Sequence, residues 1–336
     1  MRTALITGLA GLALGDAERA YLASVRPAGI ILFARNLESH GQIRRLVAAA
    51  REAVGSDDLL VLIDQEGGRV QRLRPPLGRA LPPAAAYGAL YSVDPTRACR
   101  MARDAARLMA HDLVSLGINT DCAPVLDVPV PGAHDIIGNR AYGRDVAQIA
   151  ALGRAVAEGL MAGGVVPVIK HIPGHGRATA DSHLDLPVVT TPHAELSATD
   201  FAAFEALADM PAAMTAHVVF SALDAAHPAS TSALVTERVV RGEIGFGGLL
   251  MSDDLGMQAL AGPMRARAEA VIAAGSDVAL HCSGDLAEMD AAAAGCPQLS
   301  GTAEARWQTC LAVTRRREPF DMATAEAAVA AALAVA

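Results

Sequence analysis

The sequence predicts a single (β/α)8 barrel that spans residues 1–336. Short apolar segments recur along the chain, a helix-like stretch follows most of them, and eight such segments can be counted. Apolar strands without polar alternation are typical of a parallel sheet covered on both faces. Eight parallel strands close a barrel, and a chain of 336 residues, 52% of them hydrophobic, can bury its core.

The eight predicted strands follow one another in chain order. They are TALITGL (3–9), AGIILFA (28–34), LLVLID (59–64), GINTDCAPVLDV (117–128), VVPVIKH (165–171), AAMTAHVV (212–219), GGLLMSDD (247–254) and DVALHC (277–282). The first segment could also be the apolar part of a secretion signal, because Arg2 precedes it and small residues follow. We favour a strand, since Arg2 is a lone positive charge and glycines interrupt the apolar run.

Predicted helices occupy the intervals between the strands. They include residues 40–54, 94–116, 145–163, 194–207, 231–244 and 264–275. Several of them begin at Asp, Ser or Thr and end at glycine, which are the residues preferred at helix ends. From about residue 303 the tail predicts one or two terminal helices that close the barrel.

The alternative fold is an open, doubly wound parallel sheet. No G-x-G-x-x-G follows the first strand and no G-x-x-x-x-G-K-[ST] occurs in the sequence, so a nucleotide-binding sheet has no support. No linker, repeat or low-complexity region divides the chain, and no apolar run reaches the length of about 20 residues that a membrane span needs.

Composition and charge exclude several partners. The net charge of −8, without any Lys/Arg block, argues against nucleic acid, and an aromatic content of 3% argues against a base-stacking surface. Five scattered cysteines without a Cys-x-x-Cys pair are typical of reduced thiols inside the cell. We expect a cytoplasmic protein that binds neither nucleic acid nor membrane, and we also expect it to need no cofactor and favour a monomer.

Polar side chains collect where the predicted strands end. They are Asp64, Asp127, Lys170, His171, His217, Asp253, Asp254 and His281. In a parallel barrel these ends meet at one rim, where catalytic groups are found. The pattern predicts an enzyme, although His217 and His281 are expected to be hydrogen-bonded core histidines and Asp254 to order its loop.

The segment KHIPGHGRATADSHLDLP (170–187) carries an unusual number of titratable groups. A metal site could use its three histidines with Asp181, but Pro173, Gly174 and Gly176 prevent the helical spacing of a metal-binding pair. A Schiff-base lysine at Lys170 and a solvated polar loop are further alternatives.

The remaining interpretation is acid–base catalysis by the D-S-H triplet. Asp181 and His183 are two residues apart, so an extended backbone directs both side chains to one side. A carboxylate bound to one imidazole nitrogen raises the basicity of the other, which suits an acid/base near neutral pH. Across the barrel mouth, Asp253 at the end of a buried strand is the candidate nucleophile.

Four motifs resemble the family 3 glycoside hydrolases of the bacterial β-N-acetylglucosaminidase type. They are IDQEGGRVQR (63–72), IIGNRAYG (136–143), KHIPGHGRATADSH (170–183) and LLMSDDLGM (249–257), and they occur in the order typical of that family. The resemblance runs from residue 29 to about residue 280. It implies a (β/α)8 barrel, in agreement with the strand count.

The resemblance also implies roles for individual residues. Asp253 would be the nucleophile that forms a glycosyl-enzyme intermediate, and His183 would be the general acid and then the base, with Asp181 as its partner. The substrate-binding residues would be Asp64, Arg72, Arg140, Lys170 and His171. Relatives that act on glucosides or xylosides usually carry a second domain that contributes a glutamate acid. We expect this chain to be too short for that domain and to use the D-S-H triplet in its place.

The function implied is exo-hydrolysis of β-linked N-acetylglucosamine, with anhydro-muropeptides of peptidoglycan recycling as the substrate. The alternatives are a family 3 glycoside phosphorylase, a β-glycosidase of other sugar specificity and a metal-dependent hydrolase. A sugar-binding barrel without catalysis is a further alternative.

Overall fold

The structure, a computed structural model, describes residues 1–178 and 186–333. Eight parallel strands form a closed barrel in which each strand pairs with its neighbours in chain order and the last pairs with the first. The strands are β1 (Thr3–Gly8), β2 (Pro27–Leu32), β3 (Leu60–Ile63), β4 (Thr120–Asp121), β5 (Val166–Ile172), β6 (Ala212–Thr215), β7 (Leu249–Asp254) and β8 (Val278–His281). The barrel is confirmed, and the open sheet is excluded because β1 pairs with both β2 and β8.

Helices connect the strands and surround the barrel. They are Asp16–Val25, His40–Val54, Ala84–Tyr91, Pro95–Ser115, Val146–Ala162, His193–Leu196, Ala202–Glu205, Met264–Ala273, Leu286–Ala294, Gly301–Thr314 and Met322–Leu333. Two segments, Ser197–Phe201 and Val235–Glu243, are π-helical. Ser39, Asp94 and Asp145 each accept a hydrogen bond from a first-turn amide, as N-caps do. None of the helices in the described part of the chain is long and apolar enough to cross a membrane.

The fourth strand is shorter than predicted. Residues 117–128 were expected to be one strand, but only Thr120–Asp121 pairs regularly on both sides. Cys122 N still donates to Ile63 O at 2.9 Å, and the next position facing β3 is Pro124, which has no N–H to donate. The segment continues beside β5 alone, where Leu126 N donates to Lys170 O at 2.7 Å.

The predicted terminal helices are present, and one of them closes the amino end of the barrel. Residues of Gly301–Thr314 pack into the same buried cluster as the inward-facing side chains of the strands. Trp307, 3% exposed, donates from Nε1 to Ala28 O at 3.0 Å. This end of the barrel is therefore filled with side chains, and the opposite end is left for a site.

Candidate active site

A cavity of about 600 Å³ opens at the carboxyl ends of the strands. Six of the predicted site residues lie in the described part of the chain, and all six line this cavity. They are Asp64, Arg72, Arg140, Lys170, His171 and Asp253. The other two, Asp181 and His183, lie outside the described residues.

Lys170, near the carboxyl end of β5, lies between two carboxylates. Its Nζ is 3.0 Å from Asp64 Oδ1 and 2.7 Å from Glu66 Oε1, and its side chain is 3% exposed. Burial alone would lower the pKa of Lys170, but the two carboxylates raise it well above its ordinary value. The two carboxylates thus favour the protonated amine, which argues against the Schiff-base interpretation because that chemistry needs a neutral amine.

Each of these carboxylates also contacts an arginine. Arg72 Nη2 donates to Asp64 Oδ2 at 2.9 Å, and Arg140 donates to both oxygens of Glu66 at 2.8 Å. Charges thus alternate in the order Arg72, Asp64, Lys170, Glu66 and Arg140, a set we name the charge row. Burial would raise the pKa of Asp64 and of Glu66, but their cationic partners hold both below the ordinary range.

Glu66 is a further charged residue of the cavity, and it was not predicted from the sequence. A glutamate beside two glycines in a strand-end loop gives no sign of burial. The loop forms a short hairpin in which Gln65–Gly67 pairs with Val70–Gln71, and Asp121 Oδ1 accepts a hydrogen bond from Gln65 N at 3.0 Å. The hairpin holds Glu66 against the cavity, where it links two residues of the predicted sugar pocket.

Arg69 holds the loop that carries Arg140. It donates to the backbone oxygens of Asp135 at 2.5 Å and of Ile136 at 2.7 Å. Arg140 itself donates from Nη1 to Ile136 O at 3.1 Å. Arg69 therefore forms part of the cavity wall.

Asp127 orients His171. The Asp127 carboxylate is fully buried, with Oδ2 2.7 Å from His171 Nδ1 and Oδ1 accepting from His175 N at 2.6 Å. Burial would raise the pKa of Asp127, but His171 first and His175 after it hold the pKa below its ordinary value. A carboxylate on Nδ1 fixes the ring orientation and leaves Nε2 for a ligand in the cavity.

Asp253 and Asp254 are the last two residues of β7. Within residues 1–178 and 186–333, the Asp253 carboxylate has one hydrogen bond, in which its Oδ1 accepts from Asp254 N at 2.8 Å. Burial would raise the pKa of Asp253, but His217 and His171, this hydrogen bond and the more distant Lys170 hold it below its ordinary value. Asp253 is therefore an ionised carboxylate at neutral pH.

Asp254 orders the loop that follows β7, as expected. Its Oδ1 accepts from Gly256 N and from Cys282 N, each at 3.0 Å. Its backbone oxygen lies 3.0 Å from His217 Nε2. His217 is fully buried, and its Nδ1 lies 2.6 Å from Ser230 Oγ, so both ring nitrogens are hydrogen-bonded.

Apolar side chains form another part of the cavity wall. Phe33, Met214, Met257 and Leu280 line it. The guanidinium of Arg72 lies 5.2 Å from the centre of the Phe33 ring, within the range of a cation–π contact. The cavity thus combines charged groups with apolar surface, which suits a sugar ring with its polar edges and apolar faces.

The candidate metal ligands are only partly described by the structure. His171 is bound to Asp127 through Nδ1, and Asp181 and His183 lie outside the described residues. In the part of the chain that is described, no group of three or more His, Cys, Asp or Glu side chains could hold a metal ion.

Comparison with known proteins identifies the family. The model of the Glycosyl hydrolase family 3 N terminal domain matches residues 7–307. A β-hexosaminidase from Bordetella pertussis is 39% identical over 288 residues, which cover 84% of this chain and 81% of that protein.

Solved structures agree with this match. NagZ from Neisseria gonorrhoeae, in complex with N-trifluoroacetyl-D-glucosamine, superposes with a TM-score of 0.88 at 33% identity, covering 99% of this chain and 98% of that chain. A family 3 β-N-acetylglucosaminidase from Paenibacillus sp. gives a TM-score of 0.87 at 29% identity, and the match covers 98% of this chain and 66% of that longer one. With the barrel, the cavity and these matches in agreement, the chain belongs to family 3 of the glycoside hydrolases.

Proposed function

We propose that this protein is a retaining exo-β-N-acetylglucosaminidase, that is, a β-N-acetylhexosaminidase. The observation that carries the proposal is a single cavity lined by Asp253, whose pKa lies below its ordinary value, and by the cations and carboxylates of the charge row. The names of the relatives, β-hexosaminidase and NagZ, support the acetamido sugar as substrate.

In the first step, a carboxylate oxygen of Asp253 attacks C1 of the sugar, and the bond from C1 to the glycosidic oxygen breaks. His183 donates a proton to the departing oxygen, with Asp181 binding the other ring nitrogen. In the second step, His183 takes a proton from water, the water oxygen attacks C1, and the ester bond to Asp253 breaks. The two displacements at C1 together retain the β-configuration.

Substrate binding is assigned to the charge row and His171. Asp64 has acceptor atoms for sugar hydroxyls, whereas Arg72, Arg140 and Lys170 have donor N–H groups. Ion pairs already fix the side chains of the charge row, so little side-chain entropy is lost when a sugar binds. This preorganisation favours binding of the distorted sugar in the transition state. His171 adds an imidazole whose orientation is fixed by Asp127.

The biological substrate proposed is the N-acetylglucosamine-containing anhydro-muropeptide released in peptidoglycan turnover, and the proposed location is the cytoplasm. The motifs of the sequence and the likeness to NagZ support this assignment.

The test is release of nitrophenol from the β-N-acetylglucosaminide and from the β-glucoside, in phosphate-free buffer that contains a chelator. We expect the acetamido sugar to be turned over at least about 100-fold faster in kcat/KM, a difference of about 2.7 kcal/mol in transition-state binding. Activity that appears only after phosphate is added would instead identify a phosphorylase. Activity that needs a divalent metal would identify a metal-dependent hydrolase.

A further inference from the structure

We propose that His217 is a positioning residue for Asp253, acting through the backbone of Asp254. The inference rests on the proposed function, in which Asp253 is the nucleophile. His217 comes two residues after β6. Its Nε2 lies 3.0 Å from the backbone oxygen of Asp254, the last residue of the neighbouring strand β7.

The hydrogen-bond partners define the form of the imidazole. A backbone oxygen only accepts hydrogen bonds, so Nε2 carries a proton. In the neutral ring Nδ1, 2.6 Å from Ser230 Oγ, accepts from that hydroxyl. Burial lowers the pKa of His217, which favours this neutral form, although the nearby carboxylates of Asp253 and Asp254 oppose the shift. Ser230 is itself buried, so the ring is held from both sides.

Asp254 is consequently held by hydrogen bonds at its backbone oxygen, its carboxylate and its backbone N–H. Its backbone oxygen accepts from His217, its Oδ1 accepts from Gly256 N and Cys282 N, and its N–H donates to Asp253 Oδ1. Only the last of these contacts touches the nucleophile. The others determine where that N–H lies.

The role in the reaction follows from this geometry. With Oδ1 of Asp253 held by the Asp254 N–H, Oδ2 is the oxygen that attacks C1. A displacement of the nucleophile by about 1 Å can reduce the rate about 100-fold, because the reacting atoms leave the near-attack distance. His217 therefore acts on the chemical step and has little effect on sugar binding.

The experiment compares two amides at the same buried position. In glutamine the amide nitrogen is separated from Cβ by the same number of bonds as Nε2 in histidine, so His217→Gln keeps a donor for Asp254 O. The asparagine side chain is one carbon shorter, so the amide of His217→Asn does not reach that oxygen. Ser230→Ala removes the group that orients the ring. His227→Asn, on the same connection but with a 60% exposed ring, is the matched control.

Steady-state rates on the nitrophenyl N-acetylglucosaminide are measured for each variant, together with the thermal unfolding midpoint. An N-acetylglucosaminyl fluoride that carries a second fluorine on the ring then labels Asp253, with loss of fluoride from C1, and intact mass gives the labelling rate. We expect His217→Asn to lose about 10- to 100-fold in kcat and in labelling rate with KM changed less than about threefold. His217→Gln should be at least about tenfold faster than His217→Asn, and the rate of Ser230→Ala should lie between those of the two His217 variants.

Equal rates for the Asn and Gln variants, or wild-type rates in both together with Ser230→Ala, would overturn the positioning role. If His217→Asn does not fold, the Gln and Ser230→Ala variants decide, since a purely structural role predicts lower midpoints with unchanged kcat. Failure of the proposed function is distinguishable, because it would show as absent turnover in the wild type or as full activity in Asp253→Asn.

Discussion

Replacing Lys170 by Met removes the cation that Asp64 and Glu66 share. Removal of one partner from a buried ion pair costs about 3–5 kcal/mol, because the remaining charge is left without compensation. Both carboxylates keep an arginine partner, at 2.9 Å for Asp64 and 2.8 Å for Glu66, so we expect the lower end, about 3 kcal/mol. For a chain of this size that loss corresponds to a decrease of about 4 °C in Tm.

Urea denaturation at pH 7 gives the free energy of unfolding, and KM for the nitrophenyl N-acetylglucosaminide is measured in parallel. The matched control is Arg265→Met, which removes an ion pair to Glu269 of similar length, 2.8 Å, but with side chains 64% and 51% exposed. The control should cost less than about 0.5 kcal/mol, because water already solvates both charges.

The double variant Lys170→Met with Glu66→Gln tests whether the two residues act as one network. If they do, its cost should fall short of the sum of the single variants by at least about 1.5 kcal/mol. A Lys170→Met variant as stable as the Arg265→Met control, or strictly additive costs, would refute the charge row as an energetic unit.

Three further predictions concern catalysis and acid stability. Asp253→Asn should fold normally and lose about 10⁴-fold or more in kcat; activity within tenfold of wild type would exclude it as the nucleophile. His183→Ala should reduce turnover of alkyl or sugar leaving groups about 10²- to 10⁴-fold and of nitrophenol much less, since a good leaving group needs little protonation; equal losses on both would contradict the acid role. Burial, with His171 nearby, lowers the pKa of His175 to about 4, below the value of about 6.5 in the unfolded chain. The unfolded chain therefore binds a proton between these values that the folded chain does not, and stability should fall by about 3 kcal/mol as the pH is lowered from about 6.5 to 4. In urea titrations across this window His175→Gln should lose less stability than the wild type, and an unchanged pH dependence would contradict the assignment.

The sequence was sufficient to predict the architecture and to place six candidate residues around one cavity. Strands buried on both faces appear as apolar runs, so eight of them alternating with capped helices favour a closed barrel over an open sheet. Because the carboxyl ends of parallel strands meet at one rim, polar residues such as Asp64, Lys170 and Asp253 could be assigned to one cavity before any contact was known. The family resemblance then added the roles that residue types alone leave open.

The tertiary structure decided which charge pairs with which. Lys170 and Asp64 are 106 positions apart in the chain, and only closure of the barrel brings their side chains to 3.0 Å. Glu66 and His217 depend on the fold in the same way. A hairpin brings Glu66 to the cavity, and the strand that precedes His217 pairs with the strand that ends in Asp253 and Asp254. A linear sequence specifies periodicity and residue type, whereas hydrogen bonds and ion pairs act over about 3 Å between groups that only the fold brings together.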